Sequence, residues 1–256
     1  MALELDARQR AMLQDLGVTV WLPAPSPAIP KIEVPRAPAP TPLAAAIDNA
    51  LPSGTLAADG LSLAAQAQAC QACGLCTGRH RTTLSAQRWP VDAPTLQADW
   101  FVVGDPPDDE EDRAGQAFMG QAGLLLDAML KAVGSQRQGQ GRNGAYLSNV
   151  VKCHPAPGRV PQADELAACV RFLDQELALV RPKVVLAMGR FATQMLLQEH
   201  PAAANQPLGK QRGTVYRYRG VPVVVTYHPK FLLRASADKA KAWADLCLAM
   251  EVVDAA

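Results

Sequence analysis

Half of the chain's thiols crowd into one short stretch, CQACGLC, from Cys70 to Cys76; the others are Cys153, Cys169 and Cys247. A Cys-x-x-Cys pair completed by a second, well-separated pair can wrap four thiolates around zinc or an iron–sulfur cluster. Cys153 and Cys169, with 15 residues between them, supply such a second pair. The competing arrangement is scattered buried cysteines plus a redox-active Cys-x-x-Cys. Spacing does not separate zinc from iron–sulfur. Cys247, in WADLCLAM, reads as core. Three further stretches carry polar groups of the kind that do chemistry: GDPPDDEEDR, SNVVKCHP and YHPKFLLR. The first concentrates six carboxylates, Asp105, Asp108, Asp109, Glu110, Glu111 and Asp112.

These stretches sit at defined places in a repeating pattern. DWFVVGD, AYLSNVV, KVVLAMG and VPVVVTYHP read as short apolar strands; GLLLDAMLKAV, ADELAACVRFLDQELALV, RFATQMLLQE and DKAKAWADLCLAMEVV read as helices between and after them. GTVYRYRGVPVVVTYHP reads as two strands joined at Arg219-Gly220. Alternation of this kind implies an α/β fold with a parallel sheet covered on both faces. Ligands of such sheets bind beyond the carboxyl ends of the strands, where all three polar stretches fall.

Composition narrows the class. The chain has 256 residues, 49% hydrophobic and 19% charged, enough for a sizeable core, and a formal net charge of +1. No apolar run approaches the roughly 18 residues of a membrane span, and MALELDARQR lacks the apolar centre of a signal peptide. A cytoplasmic protein with reduced thiols is expected (nucleoid-associated if bacterial), with no membrane partner. Residues 1–22 read as a short helix or extension. Residues 23–60 read as a proline-rich flexible linker, because PAPSPAIPKIEVPRAPAPTPL cannot form a helix or central strand. The compact domain is expected over residues 61–256.

Several ordered motifs together resemble the iron–sulfur uracil-DNA glycosylases, family 4 of that superfamily. CQACGLCTGR is similar to the Cys-x-x-Cys-x-Leu-x-x-x-Arg signature. VVGDPPDDEEDRAGQAFMGQAGLLLDAML resembles the first motif, Gly-Glu-Ala-Pro-Gly followed by acidic residues and Gly-x-Pro-Phe. YLSNVVKCHPAPGR, RPKVVLAMGRFA and VVVTYHPKFLLR resemble later blocks. The resemblance runs from about Cys70 to Trp243. It implies a three-layer α/β/α domain around a mainly parallel four-stranded sheet, and a [4Fe–4S] cluster on Cys70, Cys73, Cys153 and Cys169. Leu75 and Arg79 then fall in register, leaving Cys76 as an extra thiol beside the cluster.

The implied activity is hydrolysis of the bond between uracil and deoxyribose in single- or double-stranded DNA, the first step of base excision repair. The base must leave the stack, and the uracil departs as an anion, so donors aimed at its oxygens lower the barrier. By resemblance, Phe118 stacks on uracil, Asn149 pairs with its edge, offering both a donor and an acceptor, and His228 hydrogen-bonds a uracil oxygen. Glu111 matches a pocket glutamate. KFLLR resembles a minor-groove loop, with Phe231 or Leu232 as the wedge and Lys230 and Arg234 on phosphates. Between Val170 and Asp245, Lys and Arg outnumber Asp and Glu by 12 to 5, consistent with a phosphate-tracking face.

The first motif departs from the family. Asp105 stands for the usual Glu, Pro106 for Ala and Asp108 for the final Gly. Asp105 could orient water or balance the sugar cation. Asp108 adds a side chain and a charge where Gly tolerates left-handed backbone, so a non-catalytic DNA-binding homologue is the alternative; an iron–sulfur redox protein is a third reading. Asp109, Glu110 and Asp112 read as solvated. A monomer is expected, and the N-terminal extension could dock a replication or repair protein.

Overall fold

The computed structural model describes residues 59–84, 89, 96–137, 139–156 and 158–256. The N-terminal extension and almost all of the proline-rich segment lie outside the described residues.

The first described element is helix α1 (Gly60–Ala69), started by Asp59, whose carboxylate accepts from Ser62 N in a capping box. The cysteine stretch follows as a short 3₁₀ turn, Gly74–Cys76. Then come β1 (Ala98–Gly104), α2 (Asp109–Ala114), α3 (Gly120–Ala132), β2 (Gly141–Asn149), α4 (Ala163–Val180), β3 (Val184–Met188) and α5 (Arg190–Leu196). Two single turns, α6 (Pro201–Ala204) and α7 (Leu208–Gln211), precede the hairpin β4 (Val215–Tyr218) and β5 (Val221–Thr226). Helices α8 (Pro229–Arg234) and α9 (Lys239–Ala255) close the chain.

The sheet runs β2-β1-β3-β5-β4. The first four strands are parallel, and β4 adds an antiparallel edge through its hairpin to β5. The sheet therefore has five strands where four were expected. The reason is local: Arg219 and Gly220 both adopt positive φ at the turn, which lets TVYRY fold back and pair beside the last parallel strand.

Alternating strand residues feed two cores. Phe101, Val103, Val185, Val223 and Val225 point to one side, against Leu63 of α1, Phe172 and Leu173 of α4 and Met195 of α5. Trp100, Val102, Leu186 and Val224 point to the other, against Leu126 and Leu130 of α3 and Leu246 and Ala249 of α9. Burial on both faces explains why β1, β3 and β5 read as nearly continuous apolar runs. It also confirms the three-layer α/β/α reading. Gly104 and Asn149 are register partners at the ends of β1 and β2, so the loops after the parallel strands open on one edge.

Candidate active site and cysteine hollow

Glu111 organises the loops at that edge. It lies in the first turn of α2 with 2% exposure, and all four of its contacts are made inside the protein. Oε1 accepts from the Phe118 backbone N–H (2.6 Å) and from Asn149 Nδ2 (3.1 Å). Oε2 accepts from the Asp108 N–H (2.9 Å) and pairs with Lys230 Nζ (3.2 Å). One carboxylate thus gathers residues from the loop after β1, the end of β2 and helix α8.

Asn149 donates its second amide proton to the Asp105 carbonyl at 3.0 Å. Two acceptors on one side fix the orientation of the amide, and both its protons are consumed. Oδ1 remains, buried and without a protein partner. The side chain therefore presents an acceptor alone, not the donor–acceptor pair that its type allows. A buried lone acceptor is costly unless a ligand donates to it.

Phe118 is buried, and its backbone sits at φ 57°, the left-handed region that aromatic residues seldom occupy. The hydrogen bond to Glu111 holds it there. A Cβ on Gly104 would lie 2.5 Å from Phe118 Cζ, so the glycine at the end of β1 makes room for the ring. The ring stacks on His228, with centroids 5.3 Å apart and planes 12° from parallel.

His228 caps α8, its Nδ1 accepting from Lys230 N–H at 3.1 Å. That bond places the ring proton on Nε2, which is left as a donor. Burial, reinforced by the Lys230 charge, pulls its pKa from 6.5 down to about 3. The imidazole is thus a neutral donor at physiological pH.

Several site expectations are corrected. The Asp105 carboxylate turns into the start of α5, Oδ1 accepting from Phe191 N (2.8 Å) and Ala192 N (3.3 Å). Through Oδ1 it anchors the start of that helix; burial raises its pKa against the backbone donors that lower it. Gly189, at φ 98°, is needed for this approach, since a Cβ there would meet Asp105 Oδ2 at 2.2 Å. Asp108 is extended (φ −101°) and caps α2, accepting from Glu110 N and Glu111 N. The left-handed strain feared for a Gly replacement does not arise. Asp112 is buried rather than solvated, accepting from the backbone N–H groups of His80 and Arg81 beyond the cysteine stretch.

Lys230, expected on phosphate, is instead paired with Asp108 Oδ2 (2.7 Å) and Glu111. Leu232 is 1% exposed and cannot act as a wedge, because the α8 turn points it into the core. Phe231 and Leu233 are 44% and 46% exposed and flank it on the outer face, with Arg234 exposed after them. The basic excess is also partly spent internally: Arg212 pairs with Asp245, Arg219 with Asp174 and Lys241 with Asp238.

The cysteines gather as expected. Cys70, Cys73, Cys76, Cys153 and Cys169 line one small hollow with Arg79, Lys152 and Phe172. Cys247, partly buried on α9, is not among its lining residues. Among the described residues no group of three or more His, Cys, Asp or Glu converges as a single metal ion requires. Three sulfurs already face N–H donors: Cys153 Sγ faces Arg79 Nη1 (3.1 Å), Cys70 Sγ faces Arg171 Nη2 (3.3 Å), and Cys169 Sγ faces Lys152 N (3.3 Å). Burial pushes the Cys169 thiol up to about 12 and raises Cys153 and Cys73.

Between hollow and pocket lies a network that the motifs had not disclosed. Lys152, 2% exposed, donates from Nζ to Glu176 Oε2 (2.5 Å), Ser148 Oγ (2.6 Å) and the Asn149 carbonyl (2.8 Å). Tyr146 Oη and Ser148 Oγ complete the carboxylate of Glu176. The available signal was a Lys and a Glu each set in an apolar run.

The descriptive name "Uracil DNA glycosylase superfamily" belongs to the family model that matches residues 91–247. Several type-4 uracil-DNA glycosylases are similar to the chain. The Sulfurisphaera tokodaii protein is 33% identical over 136 residues, covering 52% of this chain and 60% of that one. The Pyrobaculum aerophilum protein is 34% identical over 152 residues, covering 58% and 74%. The Thermotoga maritima protein is 35% identical over 133 residues, covering 52% and 65%. The matches thus span three-fifths to three-quarters of these curated relatives.

Proposed function

The chain belongs to the uracil DNA glycosylase superfamily, and from that premise we propose that it flips uracil out of DNA and hydrolyses its N-glycosidic bond. The observation that carries the reading is the buried, unpartnered Asn149 Oδ1. A lone acceptor suits the N3–H of uracil; cytosine, which bears a lone pair at N3, would oppose acceptor to acceptor. Phe118 offers a ring face for the base. His228 Nε2–H donates to a uracil oxygen, and this bond strengthens as negative charge develops there. Water is the nucleophile, and no lysine forms a covalent intermediate. Phe231, with Leu233 beside it, fills the gap left in the duplex, and Arg234 meets phosphate. Purified protein incubated with uracil-containing oligonucleotides should yield alkali-labile sites, and cytosine-containing controls should not. Binding without abasic product would favour the non-catalytic alternative, for which the unstrained Asp108 backbone gives no support.

His228 makes the pH dependence specific. Its folded pKa lies below the unfolded value, so the native state resists protonation and stability falls as pH drops from about 6.5 toward 3. Above that window this group contributes no pH dependence. Uracil release should therefore show no limb near pH 6.5 from His228. His228→Gln should keep more activity than His228→Ala, which should lose roughly a hundredfold. A descending limb near pH 6.5 that vanishes in His228→Gln would contradict the neutral-donor role.

Cys70, Cys73, Cys153 and Cys169 would hold a [4Fe–4S] cluster. The donor set fits: thiols pushed up by burial require a strong cation to lose their protons, and the adjacent N–H groups of Arg79, Arg171 and Lys152 stabilise the resulting thiolates. When bound, the cluster supplies a rigid cross-link between the loop after α1, the end of β2 and α4. Cys76→Ser should retain iron and visible absorbance, whereas Cys73→Ser should lose both. The reverse result would exchange the two residues' roles.

A further inference from the structure

Lys230 has the sequence position of a phosphate contact, yet its ammonium is held between two carboxylates of the candidate site. It lies 2.7 Å from Asp108 Oδ2 and 3.2 Å from Glu111 Oε2, while its backbone N–H fixes His228. The other oxygen of Glu111 carries Asn149 and Phe118. A uracil bound against Asn149 and His228 therefore has the Glu111 carboxylate immediately behind its reader. That placement serves recognition and opposes reaction, because the departing base gathers negative charge beside an existing anion.

We propose that Lys230 is a charge-balancing and positioning residue of the base pocket, recruited by Asp108, which offsets Glu111 as uracil leaves as an anion. The inference rests on the uracil-pocket reading. Lys230 acts through Glu111 and need not touch the base. Asp108 anchors it from outside by its Oδ2, while Oδ1 caps α2. One aspartate thus performs both tasks where a glycine could perform neither. Burial pulls the Lys230 pKa down, but the two carboxylates outweigh it and hold the group charged. His228 is neutral beside it. Of the other acidic side chains in this stretch, Asp105 is directed at the backbone N–H groups of α5, Asp112 at those of His80 and Arg81, and Asp109 lies 3.7 Å from His154. Without Lys230, the adjoining Asp108 and Glu111 would face the leaving base as two uncompensated anions.

The test uses Lys230→Gln and the double variant Asp108→Asn/Lys230→Gln; Asn at 108 keeps an oxygen for the helix cap. Single-turnover release from uracil-containing DNA should slow by roughly ten- to hundredfold in Lys230→Gln, with half-saturation moved by less than about threefold. The salt dependence of DNA affinity should not change. The double variant should recover several-fold over Lys230→Gln, because it removes a negative charge with the positive one. A normal rate, weaker DNA binding and a shallower salt slope in Lys230→Gln would overturn the inference and make Lys230 a phosphate contact. Binding of free uracil supplies an independent readout. In buffer alkaline enough to ionise the base, Lys230→Gln should bind it at least about tenfold more weakly than wild type, with little difference for the neutral base. Should wild type release uracil and bind the free base, and Lys230→Gln match it in both, only this inference falls. Should wild type do neither, the pocket reading falls and the inference with it.

Discussion

Asn149→Ala is expected to lower uracil release by roughly 10²- to 10³-fold, with folding intact. The size follows from the geometry. Asn149 sits at the end of β2, paired in register with Gly104, so the strand itself sets its position. Its Nδ2 is committed to Glu111 Oε1 and the Asp105 carbonyl, and only Oδ1 is left buried without a partner among the described residues. Removing the side chain deprives the N3–H of a buried uracil of its acceptor and frees Glu111 Oε1 from one of its two donors. Asn149→Asp separates these effects. It keeps an acceptor but places a second carboxylate about 3 Å from Glu111, so it should also be impaired, and should regain activity as pH falls and the pair takes up a proton. Single-turnover release on uracil-containing DNA measures both. Asn149→Ala with near-normal rates would show that the orphaned oxygen is not the base reader.

Lys152→Ala should destabilise the domain by about 3–5 kcal/mol, because it leaves the Glu176 carboxylate buried with only Tyr146 and Ser148 as donors. For a domain of this size that corresponds to a fall in Tm of about 10 °C. The penalty belongs to the stranded charge, not to the lost lysine alone. Lys152→Met with Glu176→Leu should therefore recover much of the loss, since replacing both members of a buried pair by apolar groups is often neutral. Thermal melts of the single and double variants decide the matter. Activity well below Tm should still be reduced in the double variant, because Lys152 Nζ also holds the Asn149 carbonyl. Equal melts for single and double variants would mean that Glu176 is solvated in the folded protein.

The sequence by itself determined the architecture and the roster of the site. Apolar runs buried on two faces can only be parallel strands between helices, and the ends of such strands collect loops on one edge. Hence GDPPD, Asn149 and YHP could be assigned to a common edge from order alone. The cysteines could likewise be grouped, because pair spacing survives folding. Tertiary structure decided what each polar group faces. Asp105 and Asp108 are neighbours in one loop, yet one enters α5 and the other caps α2. Lys230 left the DNA side for Glu111, a residue 119 positions away. Of the two wedge candidates, Leu232 drops out and Phe231 stays, because a single helical turn points one inward and the other out. Lys152 and Glu176 became visible only when β2 and α4 were packed together. Periodicity reports which face of an element is apolar; it carries no record of which distant carboxylate an ammonium will find. That choice depends on desolvation and on the satisfaction of every buried donor and acceptor at once, which are properties of the assembled fold.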